Sequence, residues 1–201
     1  MNKLRRSLTL GLLCLHPAVT VFAEDEMNLY DYRAKLVDQD GGAIDLNVYA
    51  GRPVIFSFFY ASCSSACPRL ISDVKGVLSK MDEAERREVR VLLISIDPEV
   101  DSEAKLQATV ERHQLDRSQW KLARTSKETL RELAAIVDLK YRKESDGNIQ
   151  HSSVLTLIDS TGRITGRFEG LGRELEPIVA RLTAMVRTRR NAAAKQPIVA
   201  Q

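Results

Sequence analysis

Apolar residues recur along this chain with two different periods, and their alternation predicts strands separated by helices. Pro53 to Tyr60, PVIFSFFY, is an almost unbroken apolar run, the pattern of a strand covered on both faces. Val89 to Ile96, VRVLLISI, repeats it. Between them, RLISDVKGVLSKM places Leu70, Ile71, Val74, Val77, Leu78 and Met81 three and four apart. That spacing lines one face of a helix beginning near Pro68, since proline is tolerated in a first helical turn. A second helix is predicted over DPEVDSEAKLQATVERHQL, capped near Asp101 or Ser102, and a third over SKETLRELAAIVDL, capped by Ser126. A short strand around WKLA separates the two. Near the start, YDYRAKLVD, the turn QDGG and AIDLNVY spell an N-terminal β-hairpin. Near the end, the two strands of HSSVLTLIDSTGRITGRFEG are joined through STG. Leu175, Ile178, Val179, Leu182 and Met185 then give a last helix from Arg173 to about Arg190. Strands separated by helices and closing in an antiparallel hairpin imply an α/β fold, a mixed sheet with helices on both faces. Trp120 and the group Phe56, Phe58, Phe59 and Tyr60 read as core, and His113, in the charged stretch VERHQLDR, as a solvated helix residue.

Composition adds compartment more than fold. The chain has 201 residues, 44% hydrophobic and 28% charged, enough for one domain with a proper core. Its formal charge of +3 comes from Lys3, Arg5 and Arg6; from Glu24 onward 27 basic side chains face 27 acidic ones. A neutral body carries no electrostatic footprint for nucleic acid. The first residues read as a secretory signal: MNKLRR, an apolar stretch from Leu8 through Val21, and Val21 and Ala23 as a small-residue cleavage pattern before EDE. Export to the periplasm is therefore expected, with an uncleaved anchor on the outer face of the inner membrane as the alternative. The expected layout is a signal peptide over 1–23, one domain over 24–190 and a frayed tail over 191–201. Cys14 and His16 fall in the signal and leave the functional set.

Cys63 and Cys67 remain, standing between a predicted strand and a predicted helix. If the chain turns helical at or just after Cys63, positions i and i+4 share a face and both thiols point the same way. So short a loop makes a weak structural staple, which leaves a redox pair or a grip for one soft metal ion. His151, heading the run HSSVLTLID, offers a third donor. Two thiolates and an imidazole suit Cu(I) better than hard ions, and zinc would normally recruit a fourth ligand. The positive end of the helix is expected to lower the pKa of Cys63 or Cys67. Asp97, just after the second buried strand, has three readings: it orients the histidine, presents a docking charge, or turns the chain before Pro98. Asp101 reads as a helix cap.

FFYASCSSACP, SIDPEVDS and IQHSSVLTLIDSTGRI, in that order, resemble the Sco/SenC copper chaperones, whose pattern joins CxxxCP, DPxxD and a histidine heading the penultimate strand. The resemblance covers roughly Tyr30 to Met185. It departs at Ser64, Ser65 and Ala66, where many members carry a proline or an acidic residue. It implies a thioredoxin-like fold, with copper held by Cys63, Cys67 and His151 as Cu(I), and Cu(II) left open. It also implies delivery to the copper A centre of cytochrome c oxidase subunit II or a similar cuproenzyme, with Cys63 and Cys67 as a redox pair. A copper donor or thiol reductase would be a second partner, and membrane contact would arise only through the client or an uncleaved anchor. The alternative is a thiol-disulfide oxidoreductase that keeps the client's copper-ligand cysteines reduced. A peroxiredoxin-like peroxidase ranks last, because Tyr60 stands where that chemistry wants a threonine.

Overall fold

A computed structural model describes residues 28–63, 66–145 and 148–194; the expected signal segment and the last residues of the expected tail lie outside the described residues. The N-terminal hairpin is present as β1 (Leu36–Asp38) and β2 (Ala43–Ile44), shorter than its apolar pattern suggested. Its flanks turn into 3-10 helices at Leu29–Asp31 and Leu46–Tyr49, because Asn28 and Asp45 accept the amides of Tyr30 and Asn47 and cap them. The buried run becomes β3 (Val54–Phe59), and α1 (Ala66–Lys80) follows the cysteine segment. Next come the single turn α2 (Glu83–Arg86), then β4 (Arg90–Ser95), α3 (Glu103–Arg112), β5 (Trp120–Arg124) and α4 (Lys127–Ile136). Ser102 and Ser126 cap α3 and α4 by accepting the amides of Lys105 and Thr129. The chain closes with β6 (Tyr141–Lys143), β7 (Ile149–His151), β8 (Val154–Ile158), β9 (Ile164–Glu169) and α5 (Glu176–Ala194).

Among the described residues, seven strands form one sheet in the order β2-β1-β5-β4-β3-β8-β9. The central β3, β4 and β5 are parallel, and β1, β8 and β9 join antiparallel. The alternation along β3 explains its unbroken apolar run. Ile55 and Phe59 enter the core under α1, α3 and α5, while Val54, Phe56 and Phe58 enter the opposite core with α4 and the 3-10 turns. Ser57, the one polar residue of the strand, is satisfied by donating to the Val154 carbonyl at 2.6 Å.

Two expectations are corrected. His151 does not head a strand of the main sheet; it ends β7, which pairs only with β6 in a separate ribbon. The cause is Ser152, whose amide donates to the Lys140 carbonyl at 2.9 Å and whose hydroxyl accepts the Lys140 amide, holding the chain to the ribbon until Val154 enters β8. The last helix also runs past Arg190 through Ala194, since Ala192, Ala193 and Ala194 are strong helix formers. No helix among the described residues is long and apolar enough to cross a membrane.

Candidate metal centre

The site lies at the carboxyl ends of β3 and β4, where parallel α/β sheets leave their crevice. β3 ends at Phe59, whose carbonyl accepts the Ile96 amide at 2.8 Å, so the cysteine loop and the loop after β4 leave the sheet side by side. A buried carboxylate then joins them. Asp101 is fully buried; its Oδ2 accepts the Ala61 amide at 2.9 Å and the Ser95 hydroxyl at 2.5 Å. Its Oδ1 is also buried, with no hydrogen-bond partner among the described residues. The helix cap is Ser102, so the reading of Asp101 as a cap is replaced: it anchors the cysteine loop.

Cys63 and Cys67 stand as thiols rather than a disulfide, in unequal surroundings. Cys63 is half-buried against the edge of the core, and its Sγ accepts the Cys67 amide at 3.3 Å, an unpaired donor of the first turn of α1. Cys67 is buried, and its Sγ accepts the Tyr60 amide at 3.4 Å. Burial pushes the Cys67 thiol well up; the Tyr60 amide pulls it back only in part, and the neighbouring Cys63 and the Asp101 carboxylate add to the rise. The expected lowering by the helix end is overturned at Cys67, where desolvation outweighs the dipole.

His151 is half-buried at the end of the ribbon, with Nδ1 3.0 Å from the Ser152 carbonyl oxygen. A carbonyl only accepts, so the neutral ring carries its proton on Nδ1 and keeps the Nε2 lone pair for a metal. Beside it opens a cleft of about 470 Å³ lined by Lys140, Tyr141, Arg142, Gln150 and His151. Asp97 does not meet the histidine. Its carboxylate accepts from Lys143 Nζ at 2.9 Å and so fastens the ribbon that carries His151 to the end of β4.

Tyr60, which the apolar pattern assigned to the core, is half-buried and joins the site. Its ring edge meets the His151 ring with centroids 5.9 Å apart and planes at 78°. Burial, with Cys63 and Cys67 beside it, pushes its phenol up to about 12. Among the described residues no three His, Cys, Asp or Glu side chains converge as a ready cage; Tyr60 touches both sides, its amide on Cys67 Sγ and its ring edge on His151. The donor chemistry, two thiols and an Nε2 lone pair, nevertheless fits a soft monovalent ion.

A sequence profile of the SCO1/SenC family matches residues 23–187. The chain belongs to the SCO1/SenC family. A relative named SCO1 protein homolog, from Bacillus subtilis strain 168, is 23% identical over 174 residues, covering 84% of this chain and 90% of the relative. The structure of Bradyrhizobium japonicum ScoI with copper bound superposes with a TM-score of 0.65 at 23% identity, covering 77% of this chain and 98% of that one. The structure of BsSco, described as a member of the Sco family of cytochrome c oxidase assembly proteins with a disulfide switch, gives a TM-score of 0.69 at 20% identity over 81% of this chain and 96% of that one. These structural likenesses establish the shared thioredoxin-like fold of this Sco-family protein.

Proposed function

We propose that this Sco-family protein is a Cu(I)-binding metallochaperone in which Cys63, Cys67 and His151 hold the ion. It is exported by residues 1–23, works in the periplasm and delivers copper to the copper A centre of cytochrome c oxidase or a similar cuproenzyme. The observation that carries this reading is that one residue, Tyr60, touches all three donor residues, Cys67 at its sulfur, Cys63 through the backbone and His151 ring to ring, so the two thiols and an imidazole in its ligand-ready tautomer belong to one pole of the molecule. The copper-bound relative and the oxidase-assembly relative named above support the cargo and the client.

The unequal thiols give the site an order of events. Half-buried Cys63 receives Cu(I) first and releases its proton to solvent. Cys67 gives up its proton only as the metal's charge replaces it in a site that disfavours a lone anion. His151 closes the set from the ribbon, and the open cleft beside it leaves room for a partner's sulfur ligands to take the ion. The same asymmetry favours one further reading, thiol exchange. There Cys63 attacks a client disulfide, Cys67 resolves the mixed disulfide, and two electrons pass to the client while Cys63 and Cys67 become the disulfide. A thiol reductase would then restore the pair.

An anaerobic Cu(I) titration of the reduced protein against a chromophoric chelator separates the readings. One tight equivalent is expected, weakened at least about tenfold by Cys63→Ser, Cys67→Ser and His151→Ala alike, which corresponds to about 1.4 kcal/mol per ligand or more. Binding that is weak and indifferent to His151→Ala would sink the copper reading and leave the dithiol.

A further inference from the structure

We propose that the cleft at the amino ends of β4 and β5 binds a phosphate group through the guanidinium groups of Arg86 and Arg90, either as a free phosphate ester or as the headgroup phosphate of an anionic phospholipid. The inference stands apart from the copper reading, because the metal centre lies at the carboxyl ends of β3 and β4, the length of a strand away. The cleft has a volume of about 410 Å³, and Arg86, Arg87 and Arg90 line it together with Glu83, Asp116 and Gln119. Its two walls are fastened to each other. The Val91 amide donates to the Gln119 carbonyl at 2.9 Å, and Gln119 Nε2 donates to the carbonyls of Arg86 at 2.7 Å and Val89 at 3.2 Å. The turn before β5 is thereby held against the chain that enters β4.

The charges of this cleft are not matched. Glu83 is paired with Arg87, and Asp116 Oδ1 accepts the Ser118 amide at 2.8 Å and the Ser118 hydroxyl at 2.7 Å. Arg86 and Arg90 are half-buried, yet among the described residues neither has a carboxylate within ion-pair distance. Arg90 Nη1 donates to the carbonyls of Arg87 at 2.8 Å and Val89 at 3.1 Å, which fixes the guanidinium and leaves Nε and Nη2 without a partner among the described residues. Burial and the charge of Arg52 hold Arg90 below the ordinary arginine range, against the pull of Asp116. A half-buried cation without a counter-charge is costly, and an anion in the cleft removes that cost. Each guanidinium is a planar fork that matches a pair of phosphate oxygens, and the volume leaves room for the organic group of an ester. The described chain also begins at this end of the sheet: Val54 pairs with both Arg90 and Ile158, and the Leu29 amide donates to the Gly162 carbonyl at 2.9 Å in the turn after β8. An uncleaved N-terminal anchor would hold this end near lipid, so a headgroup is one source of the phosphate and a dissolved ester the other.

The test titrates the full chain with glycerol 3-phosphate while the Nε–Hε resonances of Arg86 and Arg90 are followed, with sodium chloride and sodium acetate at matched ionic strength as controls. Saturable shifts are expected with the ester alone, and Arg86→Gln is expected to weaken them at least about tenfold, the loss of a charge-assisted hydrogen bond. The Arg86 side chain has no hydrogen-bond or ion-pair partner among the described residues, so the fold does not depend on it. In a second arm the protein is sedimented with vesicles of phosphatidylglycerol and phosphatidylcholine. The excess captured over phosphatidylcholine alone discounts insertion of the apolar N-terminal stretch. An excess abolished by Arg86→Gln supports the proposal with a phospholipid as the source, and ester binding without that excess supports it with a dissolved ester. No response in either arm, shifts that acetate or chloride reproduces, or a response that survives Arg86→Gln would each overturn it.

Discussion

Cys63 and Cys67 are the same chemical group in two environments, and the difference decides their roles. Cys63 meets solvent and an unpaired helix amide; Cys67 is 4% exposed, with its thiol pushed up by burial. A neutral, buried thiol is a poor nucleophile, so at pH 7 iodoacetamide is expected to modify Cys63 at least about tenfold faster than Cys67. Peptide mapping of a time course checks this, and equal rates would remove the ordered capture described above. Asp101 makes a related point. It looks like a cap from its place before a helix, yet its oxygen serves Ala61, forty positions away in the chain. Burying a carboxylate with one oxygen unpartnered is costly, and the bonds of its other oxygen hold the turn that leads to Cys63.

The ribbon of β6 and β7 stands apart from the seven-stranded sheet, which makes it the least supported element of the site. Ile149 sinks into the core with α4, Lys143 pairs with Asp97, and the His151 ring abuts Tyr60. Asp97→Ala removes that ion pair without touching a donor. Peptides spanning 140–152 are expected to exchange amide hydrogens faster in that variant, with the melting temperature of the sheet nearly unchanged, because the pair is partly exposed on the lysine side. Exchange confined to its original rate would show that Asp97 is only a turn residue before Pro98. Helix α1, by contrast, is held along its whole apolar face by Leu70, Ile71, Val74, Val77 and Leu78, so Cys67 stands on a packed helix.

At the scale of the molecule, acid should act through the carboxylates that the fold holds ionised. Burial raises the Asp38 carboxyl, but Lys121 and the amides of Gly42 and Asp40 outweigh it and hold the group below the usual carboxylate range. Glu88, between Arg189 and Arg190, is held down in the same way against its own burial. Carboxylates with a depressed folded pKa stabilise the protein fully above the unfolded value, about pH 4, and lose that contribution as pH falls through the folded one. The urea midpoint is therefore expected to stay level from pH 7 to about pH 5 and to drop below about pH 4, with a shallower drop in Asp38→Asn. A fall beginning near pH 6 would instead implicate a histidine.

The elements were legible in the residues because their causes are local. Periodicity placed β3, α1, β4 and α4, the serines at 102 and 126 marked their helices, and the cysteine pair and His151 stood out by donor chemistry alone. Helix and strand patterns repeat within a few residues, so they survive reading one dimension at a time. What only the tertiary structure decided are contacts between segments far apart in the chain. Tyr60 reaches His151, Asp101 reaches Ala61, and Asp97 meets Lys143 rather than the histidine. An aromatic at the end of a buried strand carries the same local pattern whether its ring faces a void, solvent or an imidazole. The placement of His151 in its own ribbon depended on Ser152 binding Lys140 twelve residues earlier, a pairing set by the folded chain and invisible in the apolar run that begins at Val154.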